Sequence, residues 1–106
     1  MEVSKKDWKL YREKLPRRQE AYMEKLIVKY VEYLQGDEPA STKFWEMEKR
    51  IKRDKKNPGV LIEESKGNML FDLIRLMHEG VINFNDLEDF SDELKEMVRF
   101  MWEKSA

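Results

Sequence analysis

Few side chains in this sequence are of the types that carry out catalysis or bind metals. His78 is the only histidine and there is no cysteine, which excludes a thiol nucleophile, a disulfide and any thiolate metal site. Zinc would then need three or four carboxylate ligands, which is uncommon. The sequence also lacks a glycine-rich phosphate loop and a G-x-S-x-G motif. We therefore expect a protein that is not an enzyme and that has no metal and no cofactor.

The acidic stretch of residues 83–93 invites a test for calcium binding. An EF-hand loop needs oxygen ligands at positions 1, 3 and 5 and a glycine at position 6. Asn83 and Asn85 satisfy the first two positions, but Leu87 and Glu88 occupy the fifth and the sixth. The motif fails, and the acids of this stretch are better explained by the preference for negative charge near helix N-termini.

A predicted helix at about residues 43–56 carries the one surface pattern that indicates binding. Its candidate site residues, which we call the basic ridge, are Trp45, Lys49, Lys52, Arg53 and Lys56. They share a stripe of about 100° on the helix. Such a stripe suits an acidic protein surface with Trp45 as its anchor, and equally the phosphates and bases of a nucleic acid. The structural alternative is that the cations complement the helix C-terminus and that Trp45 packs under the first helix.

The charge of the chain favours one of these two classes of partner and leaves the other as an alternative. Residues 1–56 carry 16 basic and 11 acidic side chains, whereas residues 57–106 carry 5 and 11. The net charge is −1 and the isoelectric point is near 5.9, while DNA-binding domains are typically basic. The leading hypothesis is a small non-enzymatic binding or regulatory protein whose partner is another protein. The alternative is a nucleic-acid-binding accessory or regulatory protein that uses residues 45–56.

Length and composition predict one domain without a membrane segment. The 106 residues have a mass of 12.9 kDa, and hydrophobic and charged residues each make up 41%. This is enough for a single core. No apolar run exceeds three residues, so we expect no contact with a membrane. The first residues form no apolar segment, so we expect no secretory signal and a cytoplasmic location.

Helical periodicity dominates the elements that must position the ridge. Ser4 is a predicted N-cap for a short helix that runs to about Leu15, and Pro16 is expected to end it and to begin a second helix at about residues 17–35. In that second helix, seven apolar side chains fall within an arc of about 140° and are predicted to lie in the core. They are Tyr22, Met23, Leu26, Ile27, Tyr30, Tyr33 and Leu34.

The remaining elements complete an all-α fold. The third helix is expected to bury Phe44, Met47 and Ile51, and a helix at residues 68–79 is apolar over about 220°, which places it in the middle of the domain. Residues 60–66 are predicted to be a further helical turn, a loop or a short extended piece. In the last helical region Asn85 gives one possible N-terminus and Ser91 a second, so Ser91 either interrupts the helix as an N-cap or lies within it. The predicted architecture is a compact bundle of four to five short helices with the 68–79 helix central.

A second expectation about partners follows from apolar side chains that do not fit the core stripes. The chain has three tryptophans and seven methionines, and Trp45, Phe100 and Trp102 lie off the main stripes of their helices. Apolar surface that remains after one small core is filled tends to find a partner. We therefore expect self-association, most simply as a two-fold homodimer.

Overall fold

The computed structural model describes residues 2–105, and these residues form four α-helices. The helices are α1 (Lys5–Leu34), α2 (Ala40–Asp54), α3 (Met69–His78) and α4 (Asp92–Lys104). Short 3₁₀ turns at Lys66–Asn68 and Phe84–Leu87 precede α3 and α4. No strand occurs within the described residues, so the prediction of an all-α protein is confirmed. Residues 61–65 have neither helix nor strand.

A single helix, α1, replaces the two helices predicted at residues 5–15 and 17–35, so the predicted break at Pro16 is wrong. Pro16 lacks an N–H group, and this leaves the Arg12 carbonyl without its helical partner. Arg12 and Pro16 both lie on the exposed side of α1, where water can hydrate that carbonyl. The continuous helix also places Arg17 and Arg18 in the middle of α1, away from the positive end of a helix dipole, and Arg18 Nη2 lies 2.6 Å from Asp86 Oδ1.

The hydrophobic core is formed by the first half of α1 together with α3, α4 and the segment between them. Five of its thirteen buried hydrophobic residues come from α3, more than from any other element. The largest side chains that are completely buried are Met69, Leu76, Leu87, Leu94 and Val98. From α1, Tyr11 and Leu15 are buried in this core, and the partly buried Trp8 and Leu10 pack against it.

The second half of α1 and α2 extend beyond the core as a helical hairpin, which we call the arm (residues 17–57). None of its hydrophobic side chains is buried. The predicted core positions of both helices are therefore wrong: Leu34, Phe44 and Ile51 are exposed, and the tyrosines are only half-buried. The radius of gyration is 16.6 Å, against about 13 Å for a compact domain of this length. The prediction of a compact bundle is accordingly not confirmed.

Two serines and one aspartate join the two ends of the chain. The Ser4 hydroxyl caps α1 by accepting the Asp7 N–H at 3.1 Å. The buried Asp7 carboxylate accepts the Ser91 N–H at 3.0 Å and the Ser91 hydroxyl at 2.5 Å. The Ser91 oxygen in turn caps α4 by accepting the Leu94 N–H at 3.2 Å. Ser91 thus ends the irregular segment and starts α4, which answers the question that the sequence left open.

We expect Asp7→Ala to lower the free energy of unfolding by about 2–3 kcal/mol, because it leaves two buried donors of Ser91 without an acceptor. The matched control is Asp37→Ala, which removes the same carboxylate from an exposed bend and should change stability by less than about 0.5 kcal/mol. Urea denaturation of the two variants and the parent measures both values. Equal losses for the two variants would contradict the role of Asp7.

Candidate functional site

The ridge helix α2 lies antiparallel to the second half of α1 and is held there by polar contacts of the tyrosines. The Tyr30 hydroxyl donates to Asp54 Oδ2. The Arg50 guanidinium lies 4.2 Å from the centroid of the Tyr33 ring. Asn57 Nδ2 donates to the Tyr22 hydroxyl at 3.0 Å. Tyrosines that the sequence assigned to an apolar core therefore position α2 through their polar groups.

The base of the arm is fixed by a close approach at Gly59. A Cβ atom at this glycine would lie 2.5 Å from Cδ2 of Tyr22, which is closer than real contacts allow. Gln19 Nε2 donates to the Pro58 carbonyl oxygen at 3.0 Å on the same side. The chain after α2 thus returns to the middle of α1, and these contacts hold the C-terminal end of α2 against α1.

Asp54 is the buried charge of the arm, and its neighbours hold it in the ionised form. Burial by itself raises the pKa of Asp54, but hydrogen bonds from the Tyr30 hydroxyl and from Arg53 outweigh burial, so that the pKa is lowered below its usual value of 3.8. The same hydrogen bond has the opposite effect on the pKa of its donor, the Tyr30 hydroxyl. Burial, together with the hydrogen bond to Asp54 and its negative charge, raises the pKa of Tyr30 to about 12.

All five residues of the basic ridge are exposed on the side of the arm that faces away from α1. With Phe44 set to zero, they occupy about 80° to 180° around the helix axis, whereas the side chains that face α1 occupy about 240° to 300°. The latter are Lys43, Met47, Arg50 and Asp54. Because α2 ends at Asp54, Lys56 lies in the turn beyond the helix and not within it, as the predicted bounds of 43–56 had implied.

Trp45 is 59% exposed, so it does not pack under α1. Its ring contacts that of Phe44 edge to face, with centroids 5.0 Å apart and an angle of 86° between the planes. Phe44 is 66% exposed, although the sequence placed it in the core. The structure therefore adds Phe44 to the candidate site. Its position next to Trp45 in the sequence signals the pair, but only the exposure shows that both rings are accessible.

The charges of the ridge are only partly neutralised within the protein. Lys52 Nζ lies 3.4 Å from Glu48 Oε1, and Arg53 Nε lies 3.1 Å from Asp54 Oδ1. Lys49 and Lys56 make no ion pair within residues 2–105. Exposed ion pairs are weak and are readily exchanged for others. The ridge is thus a positive surface that is bordered by two accessible aromatic rings.

The remaining candidates for chemistry do not form a second site. His78 stacks on Trp102, with ring centroids 4.5 Å apart, and its Nε2 lies 2.9 Å from Ser105 Oγ. Over residues 2–105, no three side chains of the metal-binding types come close enough together to hold an ion. In the same part of the chain, no helix has the length and apolar character needed to cross a bilayer.

No protein family, curated protein or solved structure matches this chain. The geometry of the arm therefore carries the functional argument.

We expect Trp45→Ala to change the free energy of unfolding by less than about 0.5 kcal/mol, because the ring is exposed and buries little apolar surface. Trp8→Ala is the matched control, since Trp8 is half-buried against the core and stacks on Tyr11. It should cost about 2 kcal/mol or more. Urea denaturation compares the two, and a loss of about 3–5 kcal/mol for Trp45→Ala would show a buried ring instead.

The Asp54 contacts predict that the arm loses stability in acid. A carboxyl group whose pKa is lower in the folded than in the unfolded state stabilises the fold fully when the pH is above the unfolded-state pKa. This stabilisation is lost as the pH falls through the folded-state pKa. The difference in the free energy of unfolding between the parent and Asp54→Asn should therefore be constant near neutral pH and should decrease when the pH is lowered below about 4. Urea denaturation at several pH values measures this difference. The exposed Asp37→Asn serves as the control and should show no such fall.

Proposed function

We propose that this protein is a non-enzymatic binding protein that recognises an acidic surface of a partner protein through the basic ridge. The observation that carries the proposal is the exposure of Trp45 beside Lys49 on α2, with Lys56 in the turn beyond the helix. Neither lysine has an ion-pair partner within residues 2–105. An accessible tryptophan bordered by cations has the chemistry of an interface anchor, because the ring buries apolar area while the charges select the partner. A regulatory role in the cytoplasm stays a prediction.

The contacts that hold α2 against α1 support binding at this ridge. Three cations and Trp45 lie on one helix whose orientation is held by the Tyr30–Asp54 and Arg50–Tyr33 contacts. A partner therefore meets side chains on a fixed backbone, which lowers the entropy that binding costs. The excess of basic residues in residues 1–56 also favours rapid encounter with an acidic surface.

Single-stranded nucleic acid is the second candidate partner. The exposed Trp45 ring favours it, because bases stack on accessible aromatic side chains while nearby cations contact the phosphates. The net charge of −1 argues against it, since the acidic residues of the other half of the chain repel a polyanion. We therefore rank it below an acidic protein.

The test replaces Lys49, Lys52, Arg53 and Lys56 by glutamine in one variant. All four side chains are exposed, so stability should change by no more than about 1 kcal/mol in total. Binding to proteins captured from host-cell lysate should be lost, and Trp45→Ala should lose it as well. The matched control changes Lys5, Lys6, Lys9 and Lys66 to glutamine, which removes the same charge from exposed positions outside the ridge and should retain binding.

A salt titration with a single-stranded oligonucleotide separates the two candidates. If nucleic acid is the partner, affinity should fall with salt at a slope of about −0.7 for each phosphate contacted, and the four-glutamine variant should flatten that slope. We expect weak oligonucleotide binding that is the same for the parent and both variants. If the ridge variant and the control variant bind every captured protein equally, the proposed function is wrong.

A further inference from the structure

A different side of the arm carries an uncovered apolar face. On α1, Ile27, Val31 and Leu34 fall within an arc of about 60°, and all three are exposed, Ile27 to 55%. On α2, Phe44 and Ile51 are seven residues apart, so they share one side of the helix, and both are exposed. We call these five residues the apolar face of the arm.

The two helices present this face on the same side of the hairpin. Ile27 of α1 and Ile51 of α2 line one groove, which Met23 and Val60 extend toward the core. Around α2, Ile51 lies about 140° or more from the middle of the basic ridge. The middle of the apolar face and the basic ridge therefore lie on different sides of α2 and adjoin only at Phe44, whose ring contacts that of Trp45. Ile27 and Ile51 do not belong to the ridge, so the outcome of changing them does not depend on the function proposed for it.

We infer that the apolar face binds the same face of a second copy of this chain, so that two arms pack into a four-helix bundle with two-fold symmetry. Two helices alone leave one side of their apolar stripes uncovered, and a second hairpin with the same pattern covers it. An interface between identical faces is also the usual way in which a homodimer closes.

The exposed area fits the needs of a stable dimer. The chain exposes 7762 Å², whereas a compact monomer of the same mass exposes about 6,300 Å². The excess is about 1,500 Å². An interface of standard size covers about 800 Å² on each partner. Burying the apolar face in a dimer would thus remove much of the exposed area by which this chain exceeds a compact monomer of its mass.

The charges along the edges of the face favour a second copy. Glu24 lies about 60° around α1 from Ile27, at the edge of the face, Glu20 continues the line of the face toward the core, and Lys55 lines the groove on α2. None of these three residues has an ion-pair partner within residues 2–105. A two-fold axis along the arm sets α1 of one copy against α2 of the other, so Glu24 of each copy lies on the same edge as Lys55 of the other. Each copy supplies the charge that the other lacks.

The experiment measures the mass of the parent by sedimentation equilibrium between about 1 and 200 μM, a range that detects micromolar dimers. We expect a monomer–dimer equilibrium with the dimer predominant at the upper end. Ile27→Glu and Ile51→Glu should each raise the dimer Kd by about 30-fold or more, because each buries an unpaired charge at the centre of the interface. Val28→Glu is the matched control: Val28 is 57% exposed but lies about 100° around α1 from Ile27, and its Kd should be unchanged.

A charge exchange tests the identity of the occupant. Glu24→Lys and Lys55→Glu should each weaken the dimer, and the double variant should restore it, because the pair is formed again between copies. The four-glutamine variant of the basic ridge should dimerise like the parent, so failure of the proposed function leaves this result intact. If the parent is monomeric throughout this concentration range, the inference is wrong, and this result does not depend on whether the variants fold. The inference is also wrong if Ile27→Glu and Val28→Glu change the dimer Kd equally. It is wrong as well if the parent is a monomer that binds anionic phospholipid vesicles through this face.

Discussion

The continuity of α1 through Pro16 determines the shape of the whole protein. A helix of 30 residues is about 45 Å long, and its buried residues, Asp7, Tyr11 and Leu15, all lie in its first half. The second half therefore leaves the core, and the longest dimension of the molecule reaches 53 Å. If the helix ended at Pro16, the second half could turn back and cover α3 and α4. Because it does not, α2 has only α1 to pack against.

This geometry produces two parts that are stabilised in different ways. The core depends on burial of aliphatic side chains, with Met69, Leu94 and Val98 almost fully removed from water. The arm depends on directional contacts: Tyr30 with Asp54, Arg50 with the Tyr33 ring, and Asn57 with Tyr22. A pair of helices cannot enclose apolar side chains on all sides, so polar contacts of half-buried tyrosines hold the pair together. The two helices of the arm are consequently joined by polar contacts while its apolar side chains stay accessible.

Two accessible surfaces lie on separate sides of the arm. The basic ridge combines Trp45 with cations that the fold leaves largely unpaired, and the apolar face combines aliphatic side chains with an acidic and a basic edge. In the functions proposed for them, the face joins two copies and the ridge binds an acidic partner. Dimerisation would then present two ridges, and a partner with two acidic sites would be bound more tightly than one ridge allows.

The helical period of the sequence was sufficient to predict the all-α class, the helix near residues 68–79 and the stripe of cations on α2, because these depend on local spacing along one helix. Ser91 also carried a usable signal as an N-cap, although the sequence could not show that the Asp7 carboxylate holds it. Which element covers an apolar stripe does not depend on local spacing along the helix. Ile27, Phe44 and Ile51 have the spacing of core residues in either arrangement, and only the path of the chain decides whether another element reaches them. That path depends on whether the helix continues through Pro16. The preference of proline for a helix start is weak compared with two effects that favour a continuous helix: Tyr11 and Leu15 pack on one side of it, and the freed Arg12 carbonyl is exposed to water on the other. The tertiary structure therefore decided which apolar side chains are core and which are surface, because burial is a property of the whole chain and periodicity is not.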